Sequence, residues 1–453
     1  MKSKMNMKKA FKKLMVPALG LTLLFPTVAG AAAAEPTAKT PASDLRSTLD
    51  QLLSEHFVLA VSSMTKSYDG TEDAEEVTEA LDQNAADMTP AIASVYGDEA
   101  AAQFEDIFRG HNDYSADFVK AATEDDAELR KEAEAEVDEF VEEFSTFLDT
   151  ATEGNLTKEA AADVLEVHED QVLTTFDEYT EGNYEEAYTT FREGHKHMFA
   201  ISKALSSAII TQMPDKFENT KADTPAADLR STLNSLASEH FALSSLGLEK
   251  GYDQSEDYDF VNWAEDRNTA DFKAAIGSIY GDEGAAQFEK IWQEDHIAAQ
   301  ADLVVASLSE DEEAMEMAKE RMMTTFPKNF GAFLGTATEE NLPTDAATEA
   351  LMAHEKQVIG SFEAYMSGDY EGSIEQFREG YAFMFGVGES LGGAIVKQMP
   401  DKFAGEAMPG DMPKTGMGGA SEQSSDLTAL WITLGSLAAA GSAFAIRKKV
   451  VNQ

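Results

Sequence analysis

The 453-residue sequence contains no cysteine, so neither a disulfide scaffold nor a thiolate-ligated zinc or iron–sulfur site can form. Basic charge is scarce. Against 83 Asp and Glu stand only 35 Lys and Arg, for a formal net charge of −48. Such a surplus repels phosphate backbones and excludes nucleic acid as a partner. Sustained period-two alternation is missing, and with it the signature of half-buried strands. The sequence also lacks a Gly-x-Ser-x-Gly elbow, a phosphate-binding glycine loop, a His-Glu-x-x-His zinc helix and EF-hand spacing. The paired Glu-x-x-His motifs of a di-iron bundle are absent as well. What is present is 43% hydrophobic and 9% aromatic residues, more than an acidic disordered chain carries and enough for real cores. The acid-rich run Glu124 to Glu143 reads as a solvated helix face.

The two ends differ from the middle. Residues 1–34 hold six lysines and no acid: a basic stretch, an apolar run from Leu14 to Phe25, then an alanine-rich tail. This is the layout of a secretory signal peptide, with cleavage expected at Ala31 or a nearby alanine. Residues 405–426 form a Gly/Pro/Met-rich linker containing Met412-Pro413-Lys414-Thr415-Gly416. A mostly apolar segment, 427–446, is long enough to span a bilayer, and the tail 447–453 opens on Arg447-Lys448-Lys449. Motif, spacer, span and basic tail in this order resemble the sorting signal of sortase-anchored Gram-positive cell-wall proteins, usually Leu-Pro-x-Thr-Gly, with Met412 replacing the leucine. The resemblance implies cleavage between Thr415 and Gly416 and attachment of Thr415 to peptidoglycan. If sortase rejects Met412, a membrane-tethered ectodomain results. Segment 35–415 keeps 26 basic and 81 acidic residues, so its formal charge is −55.

Between the ends the chain repeats itself. Asp44-Leu45-Arg46-Ser47-Thr48-Leu49 recurs at Asp228 to Leu233, Ser54-Glu55-His56-Phe57 at Ser238 to Phe241, and Met213 to Phe217 at Met399 to Phe403. The offset drifts from 184 to 186. Two helical repeats follow, 41–218 and 225–404, joined by a short polar linker. Within each, apolar residues fall at three- and four-residue steps, as in Leu45, Leu49, Leu52, His56 and Leu59. Breaks near Gly70, Gly97, Asp125, Gly154 and Gly182 predict about six helices per copy. The expected fold is all-α, two tandem up-and-down bundles.

Histidine placement is the most informative internal feature. His56, His111 and His168 lie on the apolar stripes of three helices, and His240, His296 and His354 correspond to them, His296 after a one-residue shift. Met198 matches Met384 on the last helix, and Asn84 and Asp87 recur as Asn268 and Asp271. Imidazoles and a thioether converging inside a bundle suit copper, or haem iron through His and Met. They also suit a buried polar network in which Glu55, Glu239, Glu169 and Glu355, together with Tyr or Asn side chains, satisfy the imidazoles. Copy one also has His195-Lys196-His197 where copy two has Tyr381-Ala382-Phe383. Positions i and i+2 project about 200° apart on a helix, so the pair reads as partly exposed and pH-sensitive rather than chelating. Thr180-Glu181-Gly182-Asn183-Tyr184-Glu185 resembles the motif around the quinone-forming tyrosine of copper amine oxidases, which implies Tyr184 as cofactor precursor and His195 and His197 as copper ligands. That family's catalytic domain is a β-sandwich, whereas this stretch reads as a turn between helices, and copy two has Met366 to Glu371 without the Thr and Asn.

The first reading is a non-enzymatic, wall-anchored surface protein, partnered by sortase and peptidoglycan, whose two acidic bundles form a stalk or interaction module. The second is a surface copper or haem binder using the inward His and Met residues. An amine oxidase is the third.

Overall fold

The computed structural model describes residues 35–405. The leader 1–34, the Met412–Gly416 motif, the 427–446 span and the 447–453 tail lie outside the described residues. Among those described, every regular element is helical, and no helix is long and apolar enough to cross a membrane. Copy one contains α1 (Pro41–Asp69), α2 (Ala74–Tyr96), α3 (Asp98–Asp113), α4 (Ser115–Glu124), α5 (Ala127–Ala151), α6 (Lys158–Thr180) and α7 (Tyr184–Gln212). Copy two contains α8 (Pro225–Asp253), α9 (Tyr258–Ile291), α10 (Ala298–Leu308), α11 (Glu312–Glu320), α12 (Phe326–Ala337), α13 (Thr344–Met366) and α14 (Tyr370–Gln398).

Local chemistry sets the boundaries. Thr40 caps α1 through Ser43 in a reciprocal capping box, with Pro41 at the first helical position, and Gly70 ends the helix in the left-handed region at φ 67°. Thr224 caps α8 by accepting from the Ala227 N–H, with Pro225 at the first helical position, but without the reciprocal bond because Ala227 has no side-chain oxygen. The break between α2 and α3 falls at Gly97 (φ 85°), and α9 turns at the equivalent Gly281 (φ 76°), a backbone geometry that only glycine adopts freely. Across Tyr114, which keeps right-handed helical angles, α3 and α4 run on as one kinked rod.

The drift of the repeat offset has a structural cause. Copy two carries two π-helical turns that copy one lacks, Trp292–Ile297 and Arg321–Thr325. Between Tyr280 and His296 the offset rises from 184 to 185, and between Met322 and Phe326 to 186. Each π turn thus absorbs one extra residue inside a continuous helix without rotating the following stripe off the core. His296 sits in the first of them.

The two copies interlock into one compact unit. Helices α1 and α8 are buried over almost their whole length, because each is packed by helices of both copies. Their mixed Leu, Ser, Ala and Glu composition therefore faces protein on every side, not water. The repeated motif contacts its own counterpart. The Arg46 guanidinium donates to Asp228 at 2.6 Å, and Arg230 donates to Asp44 at 2.6 Å. Arg378 donates to buried Glu55 at 2.9 Å and to Asp87, while Arg192 donates to Glu239 at 2.8 Å and to Asp271. These are the reciprocal contacts of a two-fold interface, built here within one chain. Phe57 and Phe241 close the arrangement. A Cβ on Gly194 would stand 2.2 Å from the Phe57 ring, and one on Gly380 would stand 2.1 Å from Phe241, so glycine is required at both crossings.

Asp50 breaks the symmetry, its counterpart being Asn234. It is fully buried on the axis and accepts hydrogen bonds from Ser202 and Ser231 at 2.7 and 2.8 Å. Burial pushes its carboxyl up to about 6, opposed by Arg46 and the two serine hydroxyls. A carboxyl raised in the folded state favours folding in acid and loses that stability as pH rises from about 4 to 6. Asp50→Asn is therefore expected to abolish this fall and to stabilise the protein above pH 6 by up to about 3 kcal/mol. Denaturant unfolding at pH 4.5 and 7.5 measures it; equal effects at both would contradict the assignment.

Candidate metal centre

Three helices of each copy deliver one imidazole each to a common depth. In copy one, α1, α3 and α6 carry His56, His111 and His168; in copy two, α8, the first π turn and α13 carry His240, His296 and His354. One ring nitrogen of each lies within 4.8 Å of one nitrogen of the other two, in both triads, and all six residues are buried. The surroundings repeat as well. His111 stacks on Phe140 at 4.3 Å and His296 on Phe326 at 4.2 Å, whereas His56 meets Phe108 and His240 meets Trp292 edge-on or tilted.

A buried carboxylate stands behind each triad. Glu169 Oε1 lies 3.1 Å from His111 Nε2, while the Tyr114 hydroxyl donates to its other oxygen at 2.8 Å. Glu355 Oε1 lies 2.9 Å from His296 Nδ1, and His296 Nε2 is 2.9 Å from His240 Nε2. Burial raises the Glu169 carboxyl to about 8 despite the Tyr114 hydrogen bond. Burial, aided by the neighbouring imidazoles, holds His56, His111, His168 and His240 well below the usual histidine range. His354 falls to about 4 for the same primary reason, with Glu355 opposing. At neutral pH these imidazoles are uncharged, the form that ligates metal.

Several polar atoms in the triads lack a hydrogen-bond partner. Both ring nitrogens of His56 and of His354 are buried without one, as is Nδ1 of His111 and of His168. A neutral imidazole carries one N–H donor and one acceptor nitrogen, so each such ring leaves polar capacity unused at a cost of about 1–3 kcal/mol per group. An ion held by the triad would engage one nitrogen of each ring. Glu169 and Glu355 each stand beside one ring nitrogen of a triad histidine, where a carboxyl group orients a metal-bound imidazole.

The other singled-out residues lie elsewhere. Glu55 and Glu239 do not serve the imidazoles; they accept from Arg378 and Arg192 of the opposite copy and from Asn84 and Asn268. Met198 and Met384 are buried and line the same apolar cavities as the triads. His195 is fully buried rather than partly exposed, with Nε2 2.9 Å from the Tyr381 hydroxyl across the copy interface. His197 Nε2 instead lies 2.9 Å from the Val164 carbonyl on α6, so the two rings of the His-x-His pair face different partners. Tyr184 opens α7 after the turn, and its ring contacts among described residues are Tyr179 and Phe260, not the triads. Glu169 and Glu355 carry the one sequence signal for the second shell, each following a stripe histidine directly. No known family model, curated protein or solved structure matches this chain.

Proposed function

We propose that the protein is a metal-binding surface protein holding one transition-metal ion of the copper or zinc class in each repeat. Its two helical repeats act as two binding modules on the outer face of the wall. The observation that carries this reading is the duplicated triad: three buried imidazoles brought together from three helices in each copy, with unpartnered ring nitrogens and a buried carboxyl group behind. Buried ring nitrogens are normally partnered, and an ion would engage one nitrogen each of His56 and His354. His56, His111 and His168 would hold one ion, and His240, His296 and His354 the other. Bound there, the ion would supply a site for soft or borderline ligands, because all three protein donors are imidazole nitrogens.

A single ion suits the triads better than haem does. Haem takes axial ligands from opposite faces of a macrocycle, whereas the three imidazoles of each copy converge on one point. The copy-one cavity, about 40 Å³, leaves no room for a porphyrin. The test is elemental analysis and titration of the full chain with copper and zinc. Two equivalents per chain are expected, and absence of stoichiometric metal with either ion would overturn the reading.

Display completes the proposal. The order of leader, Met412–Gly416 motif, apolar span and basic tail supports export, sortase processing at Thr415 and attachment to peptidoglycan. Thr415→Ala is then expected to move the protein from the wall fraction into membrane or medium. Unchanged wall attachment would exclude the sortase route.

A further inference from the structure

The two copies are alike at their triads and unlike just above them. In copy one the space beside His56 and His168 is packed to about 40 Å³, but beside His240 and His354 in copy two a chamber of about 350 Å³ opens between α12, α13 and α14. Side chains at paired positions explain the difference. Leu53, Val164 and Ile201 of copy one are replaced by Ala237, Ala350 and Val387, and all six line their respective cavities. Ala200 becomes Gly386, where an added Cβ would meet nothing within 4 Å. His197, whose ring ties α7 to the Val164 carbonyl on α6, becomes Phe383, which has no polar atom to make that tie. Two other lining positions change in the opposite sense: Phe108 becomes Trp292 and Met88 becomes Phe272. Copy two has thus traded aliphatic filling for aromatic surface.

We propose that this chamber is a binding site for a flat aromatic small molecule with one hydrogen-bonding head group, and that copy one has no equivalent site. A cavity of about 150 Å³ holds benzene, so one of this size takes roughly 14 non-hydrogen atoms by simple proportion. Trp292, Phe326 and Phe330 present ring faces and edges to such a body. At the inner end His354 has two buried ring nitrogens without partners, and one of them receives the head group. Gly386 and Ser390 are exposed and mark the entrance. The inference goes beyond metal binding and does not depend on it, since the chamber is shaped by apolar side chains.

The full chain, stripped with a chelator, is titrated with 1-aminoanthracene, whose emission rises in apolar surroundings. One probe per chain is expected. Ala237→Leu with Ala350→Val restores the copy-one side chains and is expected to weaken binding at least tenfold, with helix content unchanged by circular dichroism. Should that variant fold poorly, Gly386→Leu plugs the mouth from a position with open space around the Cβ and is expected to do the same. Absence of saturable binding, or wild-type binding by whichever of these variants is folded, overturns the proposal. The probe is titrated without metal and the metal without probe, so failure of the metal reading and failure of this one are separable.

Discussion

Replacing His56 and His168 together by alanine is expected to lower bound metal from two equivalents per chain to one, and His240→Ala with His354→Ala is expected to do the same. Each pair of substitutions leaves a single imidazole, which cannot hold an ion once the other two helices contribute none. The triads draw on non-overlapping helices, so the loss should stay within one copy. Stability provides a second readout. A ligand present at about 100 times its dissociation constant adds about 2.7 kcal/mol to the folded state, and about 4.1 kcal/mol at 1,000 times. Metal-induced stabilisation should therefore shrink by that order for one site in either variant and vanish in the quadruple one. Without metal, the variants should lose less than a comparable core truncation, because deleting His56 also removes buried nitrogens that have no partner. Retention of two equivalents in either pair would show that the imidazoles are not the ligands.

Arg378→Ala is expected to destabilise the protein by about 3–5 kcal/mol, the usual consequence of stripping one partner from a buried ion pair. Glu55 is 2% exposed, and Arg378 reaches it from the other copy with two nitrogens, at 2.9 and 3.3 Å. Burial already pushes the Glu55 carboxyl up, opposed chiefly by Arg378. Without the guanidinium, only Asn84 remains to donate to it. Arg192→Ala should match, since Arg192 and Glu239 repeat the pair across the interface. Combining Arg378→Met with Glu55→Met should recover most of the loss, because no charge is then left stranded. Denaturant unfolding measures all of these. Because the pairs bind one copy to the other, a single transition is expected, and two resolved transitions would mean that the copies fold independently.

Much of the helical layout was legible beforehand because its causes are local. Gly70, Gly97, Asp125 and Gly182 mark helix boundaries through positive-φ backbone, a property of single residues. The inward direction of His56, His111 and His168 was legible for a similar reason, since a three- and four-residue step is an angle around one axis. Their meeting was not. Periodicity is silent about how far a neighbouring helix has slid along its own axis, so three inward histidines on three helices need not share a level. The one-residue shift at His296 looked like an alignment defect and is a π turn that keeps the ring on the core.

Partners across the copy interface were hidden more completely. Glu55 stands beside His56 in sequence and was assigned to it, yet its charge is met by Arg378, far along the chain. The recurrence of Asp44 and Arg46 at Asp228 and Arg230 was visible, but that each Asp pairs with the other copy's Arg depends on two helices crossing face to face. His195 was read as partly exposed from the i, i+2 projection of the His-x-His pair on one helix, which is silent about Tyr381 meeting its ring from the other copy.

Composition, repeat and periodicity by themselves determined that the chain lacks thiolate chemistry, is strongly acidic, doubles one helical unit and turns six histidines inward, since each of these follows from residue identity and local geometry. Tertiary structure alone decided that the histidines form two triads, that the copies lock through reciprocal arginines, and that one triad opens onto a chamber while the other is packed shut. Those outcomes depend on the height, crossing and close approach of helices distant in sequence, and on how a few carbon atoms more or less fill the space between them.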